Sequence, residues 1–538
     1  TSRIVAESGR PSDRFHMGKI LLQSFKEDPD FLMQIDGGTD EHETSGSALK
    51  RTVRCALALK NYGLERGDVI VLMAPSHIDL AIPFYAAFYL GITVAAVDRT
   101  LSVSNKYYHH ITIIEWRPRR IKLIFCQSEK APDIQLALNE LDQNTQIVTF
   151  DKGDYLLSFA EFVDKYGEDM DVEDFRAVDF DPDDTTALFI ATSGTTGLPK
   201  AAVVTHKNLA YTTPYLWSRF HNFPTPTKMA LITSPIQWLS ALMNFIISPI
   251  FRYTRLQSSV PVTPELTYEL INKYKPTFTI LSPTFMTTLI KPGEREKCDF
   301  TCFELILLGG SAVSPVLIDE IKEITPNTEV CSVYGMSELT TIGFHSEYPP
   351  PGSCGKRMGC FQYRLINVGT QEDILEPNMP GELWVKGPGI FKEYYKNPAA
   401  TEETFAEDRW FKTGDTFYRD ENWNYYFVER IKLLLKYKSY QISPVEIENV
   451  IHEHPAVLDV AVTGIPDPEC GDLPVAFVVP RPGHDVTAED IKNFVKDSLS
   501  DAKQLRGGVI FIEGIPMTAS TKVHRRRIKE LALVMDKE

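Results

Sequence analysis

Short apolar runs rich in β-branched and aromatic residues alternate along the chain with longer stretches of helical spacing. RGDVIVLMAP (66–75), IKLIFC (121–126), TQIVTF (145–150), TTALFIATS (185–193) and TFTILSP (277–283) read as buried strands. PELTYELINKYK (264–275) and SPVLIDEIKEI (314–324) carry apolar positions three and four apart and read as amphipathic helices. The longest apolar run, Ala81 to Val97, is interrupted by Pro83 and Gly91 and bounded by Asp79 and Asp98. It is short for a bilayer span, and its composition predicts a buried helix, a glycine turn and a strand. Strands interleaved with helices imply parallel sheets covered on both faces, an α/β class.

After about residue 430 the pattern changes. SPVEIENVIHEHPAV opens a helix at Ser443, with Glu446 three residues on to complete a cap. Strand-like VLDVAVTGI and LPVAFVVP follow, then a helix in TAEDIKNFVKDSLS, the strand GVIFIEGI and a closing helix. About a hundred residues are enough for an independent α+β unit. The expected division is a large N-terminal lobe of parallel-rich sheets with covering helices, residues 1–430, and a small C-terminal domain, residues 431–538. A chain of 538 residues exceeds one ordinary core, so the lobe should hold several sheets.

The formal charge of -16 argues against nucleic acid, whose phosphates need a basic partner surface. The run Arg525, Arg526, Arg527 is expected on the solvated face of the last helix. Eight scattered cysteines without a CxxC pair read as reduced thiols, and His452 and His454 as a helix end before Pro455. The first residues lack an apolar core, no membrane span is expected, and the final MDKE is not an SKL-type signal, so a cytoplasmic location is expected.

The most informative chemistry follows the strand ending at Ile190. Thr192, Ser193, Gly194, Thr195, Thr196 and Gly197 offer backbone N–H groups and hydroxyls able to wrap phosphate oxygens, and Lys200 adds a point charge. A polar turn between strands is the plain alternative. The stretch is not a P-loop, because Pro199 precedes the lysine and Ala201 follows it.

This stretch resembles the phosphate-binding signature of the acyl-adenylate-forming enzymes, which include acyl-CoA synthetases, peptide-synthetase adenylation domains and beetle luciferases. The likeness runs from about residue 50 to the end. It is closest to insect acyl-CoA ligases and luciferases across LLLKYKSYQISPVEIE and QLRGGVIFIEGIPMTASTK.

The resemblance implies ATP and Mg²⁺ as reactants and assigns roles along the chain. In VYGMSELT, Tyr334 beside Gly335 would stack on adenine, Ser337 would contact the α-phosphate and Glu338 would hold Mg²⁺. A triphosphate independently calls for a hard cation with oxygen ligands. Gly309, Gly310 and Ser311 end a strand; they either let backbone approach a flat ligand or simply turn into the next helix, and in the family they line the adenine and acyl pocket. Asp415, placed at the end of a strand-turn, would accept the ribose hydroxyls with Arg430 assisting, although a turn aspartate reads the same way in isolation. Lys522, on a loop of small residues, would bridge the attacking carboxylate and the α-phosphate.

By the same likeness the C-terminal domain is mobile. It would rotate about Lys432 after the adenylate forms, withdrawing Lys522 and bringing Lys436 to face a channel for coenzyme A. Three positions depart from the family pattern: Ala201 and Ser439 stand where glycine is usual, and Glu429 where aspartate is more frequent. Trp238 falls near a histidine of beetle luciferases, which argues for a pocket built differently from one for beetle luciferin. The resemblance thus implies an acid–thiol ligase that joins a hydrophobic or aromatic carboxylic acid to coenzyme A. Its alternative is a luciferase-type monooxygenase that oxidises the adenylate with O2; both share every ATP-site residue.

Overall fold

The computed structural model describes residues 1–99, 121–141, 143–151, 157–192, 200–216, 228–345, 349–438, 440–518 and 522–538. The large lobe contains two seven-stranded sheets. One runs, in spatial order, Glu329–Val333, Leu305–Gly309, Phe278–Leu281, Met229–Leu231, Thr254–Gln257, Leu32–Asp36 and Glu41–Thr44, all parallel except the last pair. The other has a parallel set of five, Gln146–Thr149, Ile121–Cys126, Val69–Met73, Thr93–Ala96 and Thr186–Thr192. Antiparallel Lys200–Thr205 and Glu393–Tyr394 extend it.

The apolar run behaves as its composition predicts. Ala81–Leu90 is a helix with every residue buried, Gly91 terminates it at φ 68°, and Thr93–Ala96 returns as a strand. An all-round apolar helix must be enclosed. Here it packs with helices Met17–Glu27, Ser45–Tyr62 and Leu239–Phe251 in one shared core. Among the described residues no helix is long and apolar enough to cross a membrane.

A four-stranded antiparallel sheet follows: Gln362–Ile366, Gly381–Lys386, Phe411–Arg419 and Tyr425–Arg430. Its last two strands place Asp415 opposite Arg430. Asp415 therefore lies inside a nine-residue strand, not at the end of a strand-turn as expected. Gly414 at φ 71° sits in a local bulge, where the register against Gly381–Lys386 jumps from Lys412 to Thr416 while Asp415 still pairs with Arg430.

The smaller C-terminal unit has five strands in the order Tyr440–Ile442, Leu435–Tyr437, Gly471–Pro480, Val457–Asp467, with Gly508–Phe511 parallel to Gly471–Pro480. Helices Pro444–His452, Ala488–Ser498 and Arg525–Val534 bury separate apolar clusters against its two faces. Ser443 caps the first of these, accepting from the Glu446 N–H at 3.3 Å, and Thr487 with Asp490 forms a full capping box on the second. The basic run is not one solvated face. Arg526 and Arg527 are exposed and pair with Glu530, whereas Arg525 turns inward and is held by Glu448 and the Val462 carbonyl.

None of the eight cysteines forms a disulfide, and all eight are among the described residues. Among the described residues no cluster of three or more His, Cys, Asp or Glu side chains could cage a metal ion.

Candidate active site

Parallel strands all point their carbonyl ends the same way, and the loops leaving those ends are where open α/β sheets collect ligands. A cavity of about 900 Å³ occupies this position. Its lining draws on residues at or just past strand C-termini: Thr192, Ser234, Ser258, Gly309, Gly310 and Tyr334. Asp415 and Arg430 enter from the antiparallel sheet, and Val445, Asn449 and Lys522 from the C-terminal unit. Ser311, Gly335, Ser337 and Glu338 complete the polar part of the wall.

Asp415 is the electrostatic centre of this wall. It is buried, and its Oδ2 accepts a hydrogen bond from the Tyr334 hydroxyl at 2.7 Å. Arg430 Nε lies 2.9 Å from Oδ1. Burial raises the Asp415 carboxyl above its ordinary range, opposed by the Arg430 charge, while Asp415 holds the Arg430 guanidinium higher still. The Tyr334 ring meets Phe417 edge-on, with centroids 4.7 Å apart, so its position is set by packing as well as by its hydroxyl.

The two glycines after Leu308 do both things that their residue type allows. A Cβ on Gly309 would come within 2.9 Å of the Val333 carbonyl oxygen, so the neighbouring strand leaves no room for one. Gly310 adopts φ 93°, and a Cβ there would stand 3.2 Å from Lys522 Cε. Lys522 thus reaches the glycine turn itself. Its backbone is tied to Thr518, whose N–H donates to the Lys522 carbonyl at 2.7 Å while the Lys522 N–H donates to Thr518 Oγ1 at 3.2 Å. The side chain keeps surface open to the cleft, yet protein surrounds its ammonium. That burial, followed by the nearby Arg430 charge, lowers its pKa.

Glu338 is buried and accepts from the Tyr394 hydroxyl at 2.7 Å; burial raises its carboxyl above the ordinary range. The Tyr394 ring also lies 4.9 Å beneath Lys200 Nζ. Tyr394 thereby couples the two charged residues, a role that nothing in the local sequence KEYYKNP signals. Thr192 and Lys200 are cross-strand partners, and the Thr192 hydroxyl donates to the Lys200 carbonyl at 3.2 Å. Ser193, Gly194, Thr195, Thr196 and Gly197, between them, lie outside the described residues, as does Ser439.

Two expected residues stand apart from this wall. Lys436 is exposed on the strand Leu435–Tyr437 and contributes nothing to the cavity in this arrangement. Glu429 is buried on the strand Tyr425–Arg430, where its Oε2 accepts from the Val445 N–H at 3.4 Å. Beyond the polar wall the cavity is lined by Met243, Ile247, Phe278, Phe285 and Leu307. Trp238 belongs to this end, although its indole N–H is buried without a hydrogen-bond acceptor among the described residues.

Residues 22–395 match the AMP-binding enzyme family, and residues 446–522 match the AMP-binding enzyme C-terminal domain. The luciferin 4-monooxygenase of Photuris pensylvanica is 31% identical over 503 residues, covering 92% of this chain and 90% of its own. The 4-coumarate–CoA ligase 1 of Arabidopsis thaliana is 29% identical, with 92% and 89% covered. Among solved structures, an anthranilate CoA ligase in complex with anthranoyl-AMP superposes with a TM-score of 0.85 at 20% identity, covering 96% of this chain and 97% of its own. ATP-bound MatB from Rhodopseudomonas palustris gives 0.83 at 22% identity, with 95% and 98% covered. The chain belongs to the AMP-binding enzymes, the acyl-adenylate-forming superfamily of ligases.

Proposed function

We propose that the protein couples ATP to the adenylation of a hydrophobic or aromatic carboxylic acid, releasing pyrophosphate, and then transfers the acyl group to coenzyme A. The observation that carries this reading is one continuous cleft in which Lys522, Asp415, Arg430 and Glu338 meet at one end and an apolar lining occupies the other. The triphosphate is held by Thr192 and Lys200 together with the hydroxyl- and glycine-rich residues 193–197 that the family signature assigns to it. Asp415 accepts the ribose hydroxyls, Tyr334 faces the adenine and Ser337 the α-phosphate.

The acid is already ionised at neutral pH, so attack requires no general base. A carboxylate oxygen bonds to the α-phosphorus, the bond from that phosphorus to the bridging oxygen breaks, and its electron pair leaves with pyrophosphate. Negative charge grows on the α-phosphoryl oxygens as this happens. Lys522, preorganised at Gly310, neutralises it. Glu338 suits Mg²⁺, since a single desolvated carboxylate beside phosphate oxygens is the hard-ligand environment that ion takes. When bound there, Mg²⁺ neutralises charge on the departing phosphates. In the second step the 431–538 unit turns about Lys432, Lys522 withdraws and Lys436 approaches the thiol path.

A second reading, oxidation of the adenylate by O2 with light emission, draws support from the luciferin 4-monooxygenase relatives. The two are separated by a panel of carboxylic acids with ATP and Mg²⁺, read as pyrophosphate with and without coenzyme A, while photons are counted under air. Acid-dependent pyrophosphate with coenzyme A consumption is expected. Absence of any acid-dependent pyrophosphate would remove both readings.

A further inference from the structure

Lys522 acts only while the C-terminal unit is seated against the large lobe, so whatever holds that pose controls the chemistry. One ion pair between described residues runs across the seam far from the joint at 430–435. Arg481, directly after the strand Gly471–Pro480, places Nη2 3.0 Å from Glu320 Oε1 on the helix Pro315–Ile324. Both side chains are largely enclosed, at 21% and 33% exposure, which limits screening of the pair. Arg481 is also prepared for the contact. Its N–H donates to the Ala456 carbonyl at 2.8 Å, and its guanidinium reaches the Val457 carbonyl at 3.4 Å.

The location of Glu320 gives the pair its meaning. Its helix starts at Pro315, five residues after Gly310, the turn that Lys522 touches. One short segment of the large lobe therefore receives the C-terminal unit at two points, the catalytic lysine at the glycine turn and Arg481 one helical stretch further on. The contacts nearer the joint, Ser443 to the Val428 carbonyl and Val445 to Glu429, join residues close in sequence to the turning point and resist rotation with a short lever arm. Arg481 has a long one.

We infer that Arg481 and Glu320 are a positioning pair that selects the adenylating pose. The inference rests on the two-step reading above. Turning the C-terminal unit about Lys432 would carry Arg481 away from Glu320, so the pair favours this pose by its own free energy and opposes departure for the second step. Breaking it should slow adenylate formation and spare, or accelerate, consumption of a preformed adenylate.

The test compares Glu320→Gln, Arg481→Gln and the exchanged double variant Glu320→Arg/Arg481→Glu. The substrate is whichever of benzoate, 4-coumarate and dodecanoate the unaltered protein adenylates fastest. Each single variant is expected to lose about three- to tenfold in single-turnover adenylate formation. Transfer from the isolated acyl-AMP to coenzyme A should be unchanged or faster, and the exchanged pair should recover to within about twofold. Equal loss in both half-reactions, a single variant at the unaltered rate, or an exchanged pair no better than the singles would overturn the assignment. Failure of the unaltered protein to release acid-dependent pyrophosphate is a separate result, which overturns the functional reading and this inference with it.

Discussion

Lys522 and Gly310 form the contact on which the proposed chemistry turns. If a preorganised cation stabilises the developing charge, Lys522→Ala should lower adenylation by about two to three orders of magnitude, a loss of roughly 3–4 kcal/mol. ATP binding should persist, because Asp415, Arg430 and Thr192 remain. Equilibrium nucleotide binding and single-turnover pyrophosphate release measure the two separately, and unchanged release would refute the role. Gly310→Ala tests the other side of the contact. At φ 93° an L-residue costs about 1–2 kcal/mol, and its Cβ would press on Lys522 Cε at 3.2 Å. A stable, folded variant with adenylation reduced about tenfold is expected, with thermal unfolding reporting the backbone cost.

The strand Tyr425–Arg430 serves two purposes at once, because adjacent side chains leave a strand on opposite faces. Arg430 faces the cleft, while Glu429 turns toward the first turn of the helix Pro444–His452 and toward the Arg525–Glu448 pair. Burial pushes the Glu429 carboxyl up to about 7, with Arg525 opposing the shift. Unfolded, it would ionise near ~4.3. Between these values the native state holds a proton that the unfolded chain has lost, so this residue makes stability fall as pH rises from about 4.3 to 7. Glu429→Gln should therefore flatten the pH dependence of thermal stability across that window by about 1–3 kcal/mol. Asp459, also pushed up to about 7 by burial, leaves a residual slope. Melting at pH 5.5 and pH 8 measures the difference; parallel curves for variant and unaltered protein would exclude the effect.

At the scale of the molecule, the proposed two-step reading makes function depend on which face the C-terminal unit presents. In this arrangement Lys522 is in the cleft and Lys436 is exposed outside it. If the unit turns between steps, Lys436→Ala should leave pyrophosphate release within about twofold and slow acyl transfer to coenzyme A by tenfold or more. Equal loss in both steps would remove support for the rotation.

Much of this was legible from the sequence, for a physical reason. Secondary structure follows local periodicity and capping, so the Ala81–Val97 helix–turn–strand and the Ser443 cap could be read where they stand. The density of hydroxyls and glycines in the 192–200 stretch likewise points to phosphate binding; the structure describes only Thr192 and Lys200 of it, as cross-strand partners. What local pattern could not supply is proximity. Tyr394 between Lys200 and Glu338, the inward turn of Arg525 and the Arg481–Glu320 pair each join side chains about sixty or more positions apart. Even Asp415, placed by the sequence at the end of a strand-turn, lies inside a strand opposite Arg430. Short-range forces write the elements into the chain. The electrostatic work of the site comes from burial and from distant charges brought within 3 Å, which only the folded packing decides.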